Sequence, residues 1–132
     1  MKLQKILVLV FALVLVKTDF TLAQSSDIKE LSPLEFEGLM KNKGAVRIID
    51  VRSPEEMAEG YLINAINIDY KNDIFKDEIS KLDKNRTYLL YCKTGIRSGD
   101  AASIMRAAGF THLYSLDGGI DAWKEIGKPI EK

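Results

Sequence analysis

At 132 residues the chain has room for one domain and little besides. Nineteen basic residues balance nineteen acidic ones, and 29% charged against 46% hydrophobic residues is the proportion of an ordinary soluble globule. Without net charge or a block of one sign, nothing attracts an extended polyanion, and nucleic acid is set aside as a partner.

The chain opens on a short basic stretch, Met1 to Lys5, followed by an unbroken apolar run from Ile6 to Val16. The run is shorter than the roughly 20 residues that span a bilayer, and Thr21-Leu22-Ala23 supplies small residues where a signal peptidase would cut. The expectation is a cleaved signal peptide over residues 1–23 and a single domain over 24–132. Such a protein is exported, to a periplasm or the medium, with no stable membrane insertion after cleavage. An uncleaved N-terminal anchor is the alternative.

Gln24-Ser25-Ser26 reads as a leader. Ser32-Pro33-Leu34-Glu35 then carries a cap, a proline at the first helical position and a glutamate three residues on. Leu34, Phe36, Leu39 and Met40 predict a helical stripe ending near Gly44. Val46 to Val51 is a β-branched run that predicts a buried strand. Ser53-Pro54-Glu55-Glu56 repeats the capping pattern and opens a brief helix stopped by Gly60. Ala65 to Ile68 predicts a second strand, residues 73–82 another helix, and Thr87 to Tyr91 a third strand that runs into Cys92. Ala101, Ala102, Ile104, Met105 and Ala108 lie at helical spacing before Gly109. His112 to Leu116 predicts a fourth strand, and a last helix follows with Ile120, Trp123 and Ile126 inward. Strands alternating with helices give an α/β fold, a parallel sheet flanked by helices on both faces. In such sheets ligands bind where loops leave the carboxyl ends of strands.

Cys92 sits at such an end, and it is the chain's one cysteine. A lone thiol in an exported domain cannot form an internal disulfide, so it is either buried filler or a reactive group. The loop Cys92-Lys93-Thr94-Gly95-Ile96-Arg97-Ser98 favours the second. Gly95 admits unusual dihedrals, successive backbone N–H groups can converge as an anion nest, and a helix starting near Ser98 adds its positive end. Lys93 and Arg97 bring two positive charges. All of these favour the thiolate, a nucleophile that needs no general base. His112 is read as a structural strand residue. No metal-ligand spacing is present, so neither metal nor other cofactor is expected.

The loop and its flanks resemble the rhodanese-like sulfurtransferases in their single-domain form. Ile49-Asp50-Val51-Arg52 with Pro54, Glu55 and Gly60 is similar to the family's first signature, residues 92–98 to its active-site loop, and Leu116-Asp117-Gly118-Gly119 with Trp123 to its closing signature. The resemblance implies a central parallel sheet of about five strands. It also implies a mechanism in which Cys92 takes sulfur from a donor such as thiosulfate, becomes a persulfide and passes the sulfur to cyanide, a thiol or a protein. Amides of residues 93–98 would cradle the persulfide, while Lys93 and Arg97 would draw in the anionic donor. Asp50 and Arg52 would brace the loop as an ion pair. Two positions depart from the signature, Tyr61 for a histidine and Asn64 for a glycine, and a local change of turn is expected there.

Four residues separate Cys92 from Arg97, one fewer than in rhodanese relatives with phosphatase or arsenate reductase activity, and the smaller ring suits sulfur better than a tetrahedral oxyanion. A persulfide carrier or stress-associated module that hands sulfur to a dedicated partner would keep the same cysteine and stays open.

Overall fold

The structure is a computed structural model and describes residues 28–132. The expected signal peptide, its cleavage site and the leader at 24–26 lie outside the described residues. Five strands, β1 (Lys29–Leu31), β2 (Val46–Asp50), β3 (Ala65–Asn67), β4 (Thr87–Tyr91) and β5 (Leu113–Leu116), form one sheet in the order β1-β5-β4-β2-β3. Every pairing is parallel. The helices are α1 (Pro33–Met40), α2 (Pro54–Ala58), α3 (Phe75–Ser80), α4 (Ile96–Ala107) and α5 (Gly119–Glu125).

Period-two alternation along β4 sorts the core into two layers. Leu89 and Tyr91 face one way, packed with Phe36 of α1 and with Ile120 and Trp123 of α5. Tyr88, Leu90 and Cys92 face the other, packed with Phe75 and Ile79 of α3 and with Ala101, Ala102 and Met105 of α4. Burial on both faces is why the central strands read as continuous apolar runs.

Both capping boxes form as their sequences predict. Ser32 and Glu35 exchange hydrogen bonds with each other's backbone amides, as do Ser53 and Glu56. Several expectations are corrected. The edge strand β1 was hidden by its exposed, charged residues Lys29 and Glu30; it pairs only with β5. Helix α4 starts at Ile96, two residues before the expected Ser98, because Gly95 takes the cap position at φ 105°. Leu34 and Ile126 were read as part of the apolar stripes of the first and last helices, yet both are exposed, and Ile126 lies just past the end of α5. Asn64 lies at φ 64°, a left-handed conformation that asparagine tolerates better than most side chains. The turn therefore keeps the geometry a glycine would adopt.

From β2 the chain crosses to β3 on one side, and from β4 it crosses to β5 on the other. The loops leaving the carboxyl ends of β2 and β4 diverge over adjacent strands. That divergence opens a crevice, with Arg52 and α2 on one wall and residues 92–98 on the other.

Candidate active site

Strand β4 delivers Cys92 to the crevice with its side chain on the α3–α4 face, and the residue is only 1% exposed. The chain then turns over three residues into α4. The amide of Gly95 donates to Cys92 Sγ at 3.1 Å, and Ser98 Oγ lies 3.5 Å from the same sulfur. Burial is the largest single influence on the thiol and pushes its pKa up. Hydrogen bonds from the Ser98 hydroxyl and from the amides of Ser98, Gly95 and Thr94 together outweigh it and hold the thiol below its ordinary value. The site stabilises a thiolate through dipoles, with no general base.

The loop amides turn inward because their carbonyls are tied down outside. Cys92 O accepts from Ile120 N–H at 2.9 Å and Lys93 O from Asp121 N–H at 3.1 Å, so the first turn of α5 holds the back of the loop. This approach requires Gly119. A Cβ there would overlap the Lys93 carbonyl and come within 2.6 Å of Cys92 O, and the residue sits at φ 63°.

Behind the loop, Tyr91 joins β4 to a buried ion pair. Its hydroxyl donates to Asp50 Oδ2 at 2.7 Å and accepts from Leu62 N–H at 3.0 Å. Arg52 grips Asp50 through Nε (3.0 Å) and Nη2 (2.7 Å), and Nη2 also donates to Gly60 O at 2.6 Å. Burial works against the Arg52 charge, but the Asp50 carboxylate outweighs it and the guanidinium is held above its ordinary pKa. These bonds fasten the 60–62 turn to the strand that ends at Cys92.

The structure changes the reading of the two loop cations. Lys93 and Arg97 were expected to bring two positive charges near the thiol, and each is paired with a carboxylate. Lys93 Nζ meets Asp121 Oδ2 at 2.6 Å on the surface. Arg97 forks onto Glu56 at 2.7 and 2.9 Å. That pairing, with smaller help from Ser53, lowers the Glu56 carboxyl to about 2. A small cavity of about 120 Å³ beside the loop is lined by both signs, Arg52, Lys93 and Lys124 with Glu56, Glu59 and Asp121. The side chains of Thr94 and Ile96 point outward, while Gly95 and Ser98 are buried around the sulfur. His112 is exposed just before β5 and contributes only its carbonyl, to Tyr88 N–H. Among the described residues no group of three His, Cys, Asp or Glu side chains could hold a metal ion.

Sequence reasoning missed Glu56 as the partner of Arg97, Asp121 as that of Lys93, Tyr91 as the link to Asp50, and Ser115. Ser115 alone left a signal, a polar residue inside an otherwise buried strand. Glu56 was legible only as a capping residue.

Comparison with known proteins gives concordant results. A family model described as a rhodanese-like domain matches residues 32–126. The thiosulfate sulfurtransferase GlpE of Ectopseudomonas mendocina is 33% identical over 99 residues, 75% of this chain and 87% of that protein. The probable adenylyltransferase/sulfurtransferase MoeZ of Mycobacterium tuberculosis is 33% identical over 107 residues, which is 81% of this chain but only 27% of that longer protein. A rhodanese-like domain protein from Staphylococcus aureus superposes with a TM-score of 0.67 at 30% identity, covering 80% of this chain and 100% of that one.

Proposed function

The chain belongs to the rhodanese-like domain family, and from that premise we propose that it is a sulfurtransferase working through a persulfide on Cys92. The observation that carries the reading is the surround of the sulfur. A buried Sγ receives the Gly95 amide at 3.1 Å and sits 3.5 Å from the Ser98 hydroxyl. Donors so placed stabilise negative charge on the Cys92 sulfur itself, the charge that makes it a nucleophile toward a donor's outer sulfur.

With thiosulfate as donor, the Cys92 thiolate attacks the outer sulfur and forms the Sγ–S bond. The donor S–S bond breaks, its electron pair leaves with sulfite, and the negative charge moves to the terminal sulfur. A thiophilic acceptor (cyanide in an assay, a thiol or a protein in the cell) then attacks the terminal sulfur and restores the thiolate. Export after cleavage at Ala23 belongs to the same proposal and rests on the apolar run at 6–16. Sequencing the N-terminus of the protein purified from its native source tests it, and an intact Met1 would argue for an anchor.

Incubation with thiosulfate should add the mass of one sulfur atom to the protein, and cyanide should remove it as thiocyanate. Cys92→Ser should abolish both signals. Failure of the wild-type protein to gain sulfur from thiosulfate or from any low-molecular-weight persulfide would sink the reading.

A further inference from the structure

Among the described residues four polar or charged ones lie in the core: Asp50, Arg52, Ser98 and Ser115. The first two satisfy each other. Ser115, 0% exposed, stands on β5 opposite Leu90 of β4 and Glu30 of β1, on the sheet face that carries Leu113 and Cys92. Its hydroxyl lies 2.7 Å from Ser98 Oγ, the one side-chain hydrogen bond it makes among the described residues. Ser98 Oγ has two further neighbours, Gly95 O at 3.1 Å and Cys92 Sγ at 3.5 Å.

Counting protons fixes the direction of this chain. Each hydroxyl holds one proton. If Ser98 gave its proton to Ser115, the Ser115 proton would be left in the core without an acceptor, at a penalty that buried hydroxyls avoid. With Ser115 as donor and Ser98 Oγ as acceptor, both protons find acceptors among the described residues. The Ser98 proton is then free for either Gly95 O or the sulfur.

We propose that Ser115 is a positioning residue for the sulfur chemistry, whose hydroxyl holds Ser98 as a donor that turns from the Gly95 carbonyl to Cys92 Sγ when the sulfur carries negative charge. In the thiol the Ser98 proton rests on Gly95 O. In the thiolate it points at Sγ. Once transfer moves the charge to the terminal sulfur, it returns. The catalytic part of this inference rests on the Cys92 persulfide, whereas its effect on the thiol can be tested without any sulfur donor. The charged groups around the sulfur are Arg97 on α4 with Glu56 of α2, Lys93 on the loop with Asp121 of α5, and Asp50 with Arg52 at the end of β2. None contacts Ser115 through a hydrogen bond or ion pair, so substitution there leaves them in place.

The test is the pH dependence of iodoacetamide alkylation, read by mass spectrometry and paired with thiolate absorbance. Cys92 is the only cysteine, so the label reports on it alone. Below the midpoint, Ser115→Ala and Ser115→Val should slow alkylation about threefold to tenfold, as expected for weakening one hydrogen bond to a charged group, and move the midpoint upward. Ser115→Thr should stay within about twofold of wild type, because it restores the hydroxyl at nearly the shape of valine. A profile for Ser115→Ala or Ser115→Val that coincides with wild type would overturn the proposal. So would a threonine variant as slow as the valine one, since steric disturbance alone then explains both. Circular dichroism screens each variant for folding, and Ser115→Ala, which only removes atoms, decides the matter if valine does not fold. Sulfur loading of the same variants separates the two claims: a normal pH response to Ser115 with no sulfur uptake would count against the persulfide reading alone.

Discussion

Single residues decide this site through backbone geometry as much as through side chains. Gly119 sits at φ 63° where a Cβ would overlap the Lys93 carbonyl, and the next two amides hold the carbonyls of Cys92 and Lys93. Gly119→Ala should therefore act twice. A left-handed alanine costs about 1–2 kcal/mol, and the clash pushes the loop off α5, so that its amides no longer converge on sulfur. Chemical denaturation should show a loss at least that large, and alkylation of Cys92 at neutral pH should slow in the fraction that remains folded. Wild-type stability together with wild-type alkylation in this variant would refute the account of the loop.

At the scale of elements, the crevice between the ends of β2 and β4 is bridged by one charge pair that links two helices. Glu56 caps α2 and clamps Arg97 of α4. Its folded pKa of about 2 lies below the ordinary 4.5. The clamp thus contributes stability that is fully present above pH 4.5 and is lost as pH falls through 2. Glu56→Gln should remove that part of the acid dependence, leaving a flatter stability curve between pH 5 and 2 in denaturant titrations. Lys93 and Asp121 form a different kind of pair, with side chains 58% and 40% exposed, and exposed pairs contribute little to stability. At the mouth each loop cation is matched by a carboxylate, which offsets its pull on an anion. Asp121→Asn should leave the melting temperature unchanged. With thiosulfate as the proposed donor, the variant should raise kcat/KM by roughly twofold to fivefold at low salt, and the gain should fade as ionic strength rises. Equal rates for the two proteins at low salt would argue against steering by Lys93.

Across the whole molecule, the sheet divides the core into two layers, and the sulfur lies in only one of them. Leu89 and Cys92 belong to the same stretch of chain but to opposite faces, Leu89 packing in the layer of Phe36, Ile120 and Trp123. Leu89→Ala should cost about 2–5 kcal/mol in chemical denaturation while leaving the alkylation profile of the folded protein unchanged. A shifted profile would mean that the two layers are coupled through β4. The central features of this organisation are legible in the amino-acid order. Short apolar, β-branched runs and paired caps specify strands and helices locally, and a cysteine at a strand end followed by Gly95 marks the candidate loop within seven consecutive residues. The sequence did not reveal β1, whose three residues are held by pairing with β5 and carry no pattern of their own. Nor did it reveal the partners of the loop. Glu56 lies 41 positions from Arg97, Asp121 28 from Lys93, and Ser115 17 from Ser98. Local propensity carries no information about which distant side chains meet. Only the divergence of the two crossovers over adjacent strands brought those groups to one loop, and that set the Cys92 sulfur among dipoles that lower its pKa, beside neutralised cations.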